Sequence, residues 1–279
     1  MRYKQFGKNG PKVSEIGMGT YYDPFWIVTA YLGWRRGIKQ KIGALITGLS
    51  EGITLIDTAE IYRSETVVAE AIKGFKREDL FIATKVWSNH LRREKVFKSL
   101  KNSLSRLQTG YVDLYQIHFP NNRVPIAETM GAMEELVDQG KVRYIGVSNF
   151  SLEQTIEANS ALKKYELAST QMNYSLANRT VEADILPYCE KQGMAVMAYF
   201  PLAHGKLAFK RSELATLMQK HSKTAAQIAL NWLCSKQNVF PIPRASNPLH
   251  VKENLGASGW EISYEDAAEL ERLFPQPSP

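Results

Sequence analysis

Gly52-Ile53-Thr54-Leu55-Ile56-Asp57, a helical stretch Glu65–Ile72 behind Ser64, then Asp79-Leu80-Phe81-Ile82-Ala83-Thr84-Lys85 decide the fold. A short β-branched run reads as a buried strand, the next segment has helical period with Ser64 as its N-cap, and a second strand follows. Working outward, the alternation repeats. Residues 93–107 place Val96, Leu100, Leu104 and Leu107 on one helical face. Strand 111–118 precedes helix 125–137, which has a proline in its first turn. Strand 142–147 leads through Ser148-Asn149-Phe150-Ser151 into a helix ending near 162. A weaker strand, 167–172, is followed by helix 183–191, strand 193–199, helices 212–220 and 224–235, strand 239–242 and helices 248–257 and 264–273. Upstream, Ile16-Gly17-Met18-Gly19-Thr20 reads as the first strand and 40–50 as its helix. The aromatic-rich segment 21–37 has no clear period, and Pro241 fits a strand poorly.

Eight strand–helix units predict an α/β fold with parallel strands, and at about 250 residues the closed (β/α)8 TIM barrel fits. An open doubly wound sheet is the alternative, but it wants a glycine-rich dinucleotide loop, and no GxGxxG occurs. Residues 1–279 are expected to form one domain. Lys8-Asn9-Gly10 reads as a hairpin turn able to cover the bottom of the barrel, and extra helices end the chain. With 44% hydrophobic and 23% charged residues the chain is an ordinary globular mixture. The net charge of +7, from 35 basic and 28 acidic residues, is small and interleaved, so nucleic acid is not an expected partner. The two cysteines, Cys189 and Cys234, have no metal-ligand spacing and read as buried thiols. No membrane-length apolar run and no signal peptide are apparent, so a cytoplasmic location and no membrane partner are expected.

In such a barrel the chemistry sits at the C-terminal ends of the strands. There the sequence places Asp57, Lys85 and His118, with Tyr62 in the loop after Asp57. Together they make a coherent acid. A tyrosine has a pKa near 10, a neighbouring ammonium should lower it, and a carboxylate can keep that ammonium charged in a dry site. A histidine can orient a carbonyl oxygen or relay a proton. Each residue also has a structural reading: Asp57 as a turn cap, Tyr62 as wall packing, Lys85 as a snorkelled surface lysine, His118 as a satisfied core histidine. Only convergence on one rim makes them a site.

Asp57-Thr58-Ala59-Glu60-Ile61-Tyr62, Ala83-Thr84-Lys85-Val86-Trp87, Val112-Asp113-Leu114-Tyr115-Gln116-Ile117-His118-Phe119-Pro120 and Gly140-Lys141-Val142-Arg143-Tyr144-Ile145-Gly146-Val147-Ser148-Asn149-Phe150 resemble, in order, the signature segments of the aldo-keto reductase family. The resemblance runs from Phe6 to about Leu273. It implies a (β/α)8 barrel reducing aldehydes or ketones with a nicotinamide cofactor, usually NADPH, without a metal. It makes Tyr62 the general acid, Lys85 and Asp57 its activating pair, and His118 the residue that orients the carbonyl. Ser148, Asn149 and Gln171 become partners of the nicotinamide carboxamide, and Tyr199 the ring that stacks on it, with Gly19, Thr20 and Asp57 on the same cofactor surface. After the seventh strand, Leu202, Gly205 and Lys206 match a pyrophosphate loop. After the eighth, Arg244, Ser246, Asn247 and His250 match residues at the 2′-phosphate, and Glu253 and Asn254 match those at the adenine and its ribose. An arginine suits a phosphate better than a neutral hydroxyl, so NADPH is favoured over NADH.

The sequence departs from the family pattern at Arg63, where many members have glycine, at Phe119, where many have tryptophan, and at His250, where some have arginine. Tyr21, Tyr22, Trp26, Trp87 and Phe119 are the expected substrate wall. Small aromatic or aliphatic aldehydes and dicarbonyls are the expected substrates, and no obligate protein partner is expected. The rival function is a cofactor-binding regulatory subunit of the same fold. A metal-dependent barrel hydrolase is disfavoured, because no cluster of histidines and carboxylates stands at the strand ends.

Overall fold

A computed structural model describes residues 1–203, 205 and 211–275, with the backbone alone at 211–213. The chain opens with an antiparallel pair, β1 (Tyr3–Gln5) and β2 (Lys12–Ser14), in the register Tyr3↔Ser14. Among the described residues eight parallel strands follow: β3 (Met18–Gly19), β4 (Leu55–Asp57), β5 (Phe81–Val86), β6 (Val112–Ile117), β7 (Val142–Ser148), β8 (Leu167–Asn173), β9 (Ala195–Tyr199) and β10 (Val239–Pro241). Each pairs with its neighbour in chain order. The sheet closes where Gly17 N–H donates to Pro241 O at 2.9 Å and Gly19 N–H to Pro243 O at 3.2 Å, and Gly19 bridges Arg244 in parallel. This seam requires glycine, since a Cβ at Gly19 would lie 2.8 Å from the Ile242 carbonyl oxygen. It also explains how a proline sits in β10. The nitrogen of Pro241 faces the same side as its carbonyl, towards β3, where pairing is sparse and a missing N–H costs little.

The helices are α1 (Pro24–Tyr31), α2 (Ile38–Ser50), α3 (Glu65–Ile72), α4 (Arg93–Leu107), α5 (Ile126–Asp138), α6 (Leu152–Ala161), α7 (Ile185–Gln192), α8 (Arg211–His221), α9 (Ala225–Ser235), α10 (Pro248–Leu255) and α11 (Tyr264–Leu273). They shield the sheet with one continuous apolar layer. Ser151 and Thr224 start α6 and α9 through reciprocal capping boxes with Gln154 and Gln227. Ser64 does precede α3, but it does not cap it. Its hydroxyl donates to Thr20 Oγ1 at 2.9 Å, tying the loop after β3 to the loop after β4.

A second apolar cluster fills the barrel interior at its N-terminal end. Phe6, fully buried in the hairpin turn, sits 4.6 Å from the ring of Phe81 and 5.1 Å from that of Phe240. The hairpin thus plugs the bottom, and open space is left to the other end. Cys189 and Cys234 are buried free thiols, and burial pushes both up to about 12. Among the described residues no helix is long and apolar enough to cross a membrane.

Candidate active site

The ends of β4, β5 and β6 bring the reactive side chains together at the C-terminal rim. Lys85, at the end of β5, is fully buried, and its ammonium donates to Asp57 Oδ2 at 2.7 Å and to Thr58 O at 3.0 Å. The same Nζ lies 3.5 Å from Tyr62 Oη. Tyr62 Oη in turn lies 3.2 Å from His118 Nε2. Burial lowers the Lys85 pKa, and the Asp57 carboxylate opposes that fall.

The ammonium was expected to pull the Tyr62 pKa down, but the direction is the opposite. Burial, with Asp57 adding to it, holds the phenol well above 10. The low-dielectric surroundings penalise a phenolate more than one ammonium, already neutralised by Asp57, rewards it. Tyr62 is therefore a protonated phenol over the whole ordinary pH range. His118 is neutral, since burial and the Lys85 charge push its pKa down to about 2. Its Nδ1 is buried without a hydrogen-bond partner.

A second set of bonds fixes the neighbouring wall. Gln171, on β8, donates to Asp57 Oδ1 at 2.8 Å. The Ser148 hydroxyl donates to Gln171 O at 3.0 Å. Asn149 adopts the left-handed conformation, φ +60°, which asparagine tolerates better than most residues. There its amide donates to His118 O at 2.9 Å, while its own oxygen accepts the Tyr199 hydroxyl at 2.7 Å. Gln171, Asp57, Lys85, Tyr62 and His118 thus form one bonded chain, and Tyr199 and Asn149 hold its far flank.

Asp57, Tyr62, His118, Ser148, Asn149, Gln171 and Tyr199 line a cavity of about 420 Å³, and Lys85 lies buried behind them. Tyr21, Trp87 and Phe119 of the expected substrate wall line it, together with Gly19 and Arg244. Phe119 stacks on His118 at 5.0 Å, and Trp87 meets both rings edge-on.

The match to known proteins is extensive. The model of the "Aldo/keto reductase family" matches residues 39–274. The chain belongs to the aldo/keto reductase family. This reductase is 38% identical to the methylglyoxal reductase YeaE of Escherichia coli strain K12, covering 86% of each chain. It is 39% identical to the aldo-keto reductase YhdN of Bacillus subtilis strain 168, over 98% of this chain and 94% of that one. Among solved structures it superposes on an aldo-keto reductase from Klebsiella pneumoniae in complex with NADPH with a TM-score of 0.88. That protein is 35% identical, and the match covers 100% of this chain and 98% of that one. Like those proteins, the reductase is an oxidoreductase of carbonyl compounds built on a (β/α)8 barrel.

Two residues expected in its substrate wall are not there. Tyr22, just before α1, and Trp26, on the buried side of α1, belong to the core, and the Trp26 indole N–H donates to Tyr62 O at 3.2 Å. Lys41 caps both rings, at 4.9 and 4.5 Å. They support the backbone of the Tyr62 loop and do not line the cavity. Ile27, Ile61 and Phe200 hold wall positions that sequence reading did not name. Ile61 had a signal, lying inside the segment that carries Tyr62, whereas Ile27 depends on the course of α1.

Of the remaining cofactor positions, Thr20 is buried behind the wall and its hydroxyl donates to Asp57 O at 2.9 Å. Leu202 packs on the core, and Gly205 is exposed with φ +82°. Lys206 lies outside the described residues. Arg244 is exposed and makes no ion pair among the described residues, and Asn247 caps the N-terminus of α10. His250 is exposed on that helix, Ser246 and Glu253 are half-buried, and Asn254 is buried. Phe200 and Ala203 are both left-handed, so the loop after β9 turns its backbone sharply beside the cavity.

Arg63, where glycine is common in the family, takes the left-handed conformation that glycine would, with φ +58°. The loop keeps its shape at a cost of about 1 kcal/mol. No group of three or more His, Cys, Asp or Glu side chains able to hold a metal occurs among the described residues.

Proposed function

We propose that this reductase converts small aldehydes and ketones to alcohols with NADPH, with Tyr62 as the proton donor. One observation carries the proposal: a buried, protonated phenol stands between an ammonium 3.5 Å away and a neutral imidazole 3.2 Å away, on the wall of a cavity large enough for a small carbonyl compound.

The residues present suit the cofactor. Tyr199, Ser148, Asn149 and Gln171 line the cavity together. Arg244, which makes no ion pair among the described residues, lines the same cavity four residues before α10, whose N-terminal backbone N–H groups favour an anion. When bound, a reduced nicotinamide supplies the hydride.

The protein's own groups do the rest. As charge grows on the carbonyl oxygen, Tyr62 transfers its proton there, and the Lys85 ammonium stabilises the phenolate left behind. Asp57 and Gln171 keep that ammonium fixed, so its field is already aimed before the reaction starts. With its proton on Nε2, neutral His118 donates a hydrogen bond to the substrate oxygen and sets its distance from Tyr62. Trp87, Phe119 and Tyr21 exclude water from the oxygen. A cofactor-binding regulatory subunit would have no use for the buried Lys85–Asp57 pair behind a hydroxyl. The methylglyoxal reductases among the relatives support small 2-oxoaldehydes as substrates. Two buried free thiols suit a reducing cytoplasm, and we take the whole chain to act as one catalytic domain.

Tyr62→Phe tests the assignment. Turnover of methylglyoxal should fall by roughly 10²- to 10⁴-fold, while NADPH affinity from fluorescence titration stays near wild type. Full activity in the variant would reject the proton-donor role.

A further inference from the structure

The catalytic cavity has a neighbour across Ile27, Ile61 and Trp87, a second cavity of about 620 Å³ that shares these three residues with it. None of the residues assigned to the cofactor lines this second space. Its wall is apolar at Ile27, Val28 and Leu32, and two arginines, Arg63 and Arg106, stand on it.

The charges there are not equivalent. Arg106 donates to Glu65 Oε2 at 2.5 Å, and Glu65, fully buried, also accepts from Thr84 at 2.7 Å. Arg106 is therefore spent on a structural ion pair. The Glu60 carboxylate accepts through Oε1 from the Trp87 backbone N–H and from His90 Nδ1, which ties it to the loop after β5. Arg63 makes no ion pair among the described residues. Its guanidinium lies over the exposed ring of Tyr31, 4.9 Å from the centroid, which holds the side chain along the chamber wall. The position immediately follows the acid Tyr62, and it keeps the left-handed backbone angle in spite of its side chain. An uncompensated guanidinium over a largely apolar chamber that shares Ile27, Ile61 and Trp87 with the reaction site suits a ligand with an apolar stem and an anionic end.

Resting on the carbonyl-reductase reading, we propose that the second cavity is a substrate subsite in which Arg63 receives the terminal carboxylate of an extended aldehyde or ketone. The carbonyl lies at Tyr62, the stem passes between Ile27, Ile61 and Trp87, and the carboxylate pairs with the guanidinium. The favoured substrate class is thus ω-carboxylated aldehydes, beyond the small neutral carbonyls that the first cavity holds alone.

The test compares adipic semialdehyde with its methyl ester, which has nearly the same shape and no charge, in the wild type, Arg63→Gly and Arg63→Lys. The readout is the ratio of kcat/KM for acid over ester, in which any general change in the enzyme cancels. Glycine accepts the backbone angle of residue 63 freely, so this variant should fold. The wild type should favour the acid about tenfold, the scale of one partly screened charge-assisted contact. Arg63→Gly should bring the ratio near one, Arg63→Lys should keep part of it, and added salt should erode it in the wild type alone among the two extremes. Equal use of acid and ester by the wild type, or an unchanged ratio in Arg63→Gly, overturns the subsite while leaving carbonyl reduction standing. Absence of NADPH consumption with either compound and with methylglyoxal overturns the carbonyl-reductase reading itself, and the subsite falls with it.

Discussion

Lys85→Met separates what the buried ion pair does for folding from what it does for chemistry. The ammonium has three neighbours: Asp57 Oδ2 at 2.7 Å, Thr58 O at 3.0 Å and Tyr62 Oη at 3.5 Å. Methionine fills nearly the same volume, so the cavity contribution is small. What remains is an Asp57 carboxylate that is 2% exposed, with only the Gln171 amide on its other oxygen. Breaking a buried pair in this way costs about 3–5 kcal/mol. For a chain of this size that corresponds to a fall in Tm of roughly 10 °C. Adding Asp57→Asn removes the stranded charge and should restore about 2 kcal/mol or more, because an unpaired buried charge is worse than no charge. Turnover should stay lost in both variants, since neither has an ammonium to stabilise the Tyr62 phenolate. Urea unfolding followed by circular dichroism gives the stabilities, and nicotinamide absorbance gives the turnover. If Lys85→Met unfolds within about 1 kcal/mol of wild type, or if the double variant is less stable than the single one, the reasoning about this pair is wrong.

The neutral His118 imidazole makes stability pH-dependent. With the folded pKa down at about 2 and the unfolded value at 6.5, its contribution is complete above pH 6.5 and is lost as the pH falls through that window. The loss is about 1.4 kcal/mol per pH unit, and the difference in unfolding free energy between wild type and His118→Asn should shrink by that amount between pH 6 and 5. Phe6→Ala should cost about 3–5 kcal/mol in denaturant unfolding, because the ring is fully buried at the barrel bottom. KM for the carbonyl substrate should not move with it at low temperature. Arg244→Ala should weaken NADPH binding about tenfold more than NADH binding in fluorescence titrations, the scale of one charge-assisted contact to a phosphate.

Much of the barrel was legible because period and caps agreed along the chain. The helices Glu65–Ile72, Arg93–Leu107 and Tyr264–Leu273 fall where the pattern puts them. α1 did not show itself, because Pro24-Phe25-Trp26-Ile27-Val28-Thr29-Ala30-Tyr31 is apolar nearly all round. It buries Trp26 and Thr29 yet exposes Phe25, Val28 and Tyr31. Without the course of that one element, Tyr22 and Trp26 read as substrate wall and Ile27 gives no sign of lining the cavity. The convergence of Asp57, Tyr62, Lys85 and His118 was legible, since strand ends are fixed by topology. The direction of the Tyr62 pKa was not. Residue types name the charges around a phenol, but how deeply it is buried is set by packing across four strands. Ser64 shows a similar limit, because its type marks a helix start while its hydroxyl serves Thr20.

The join between β3 and β10 has a consequence for how ligand and scaffold depend on each other. Across β5 to β9 the strands are laced by several rungs, but here, among the described residues, a few bonds near Gly17, Gly19 and Arg244 shut the cylinder. Gly19 and Arg244 also border the catalytic cavity. A molecule touching both fastens the barrel like a clasp, so its binding energy also resists the opening of the slats. Backbone amides along this join should be the ones whose exchange with solvent slows most when the cavity is filled, ahead of those in the better-laced staves opposite.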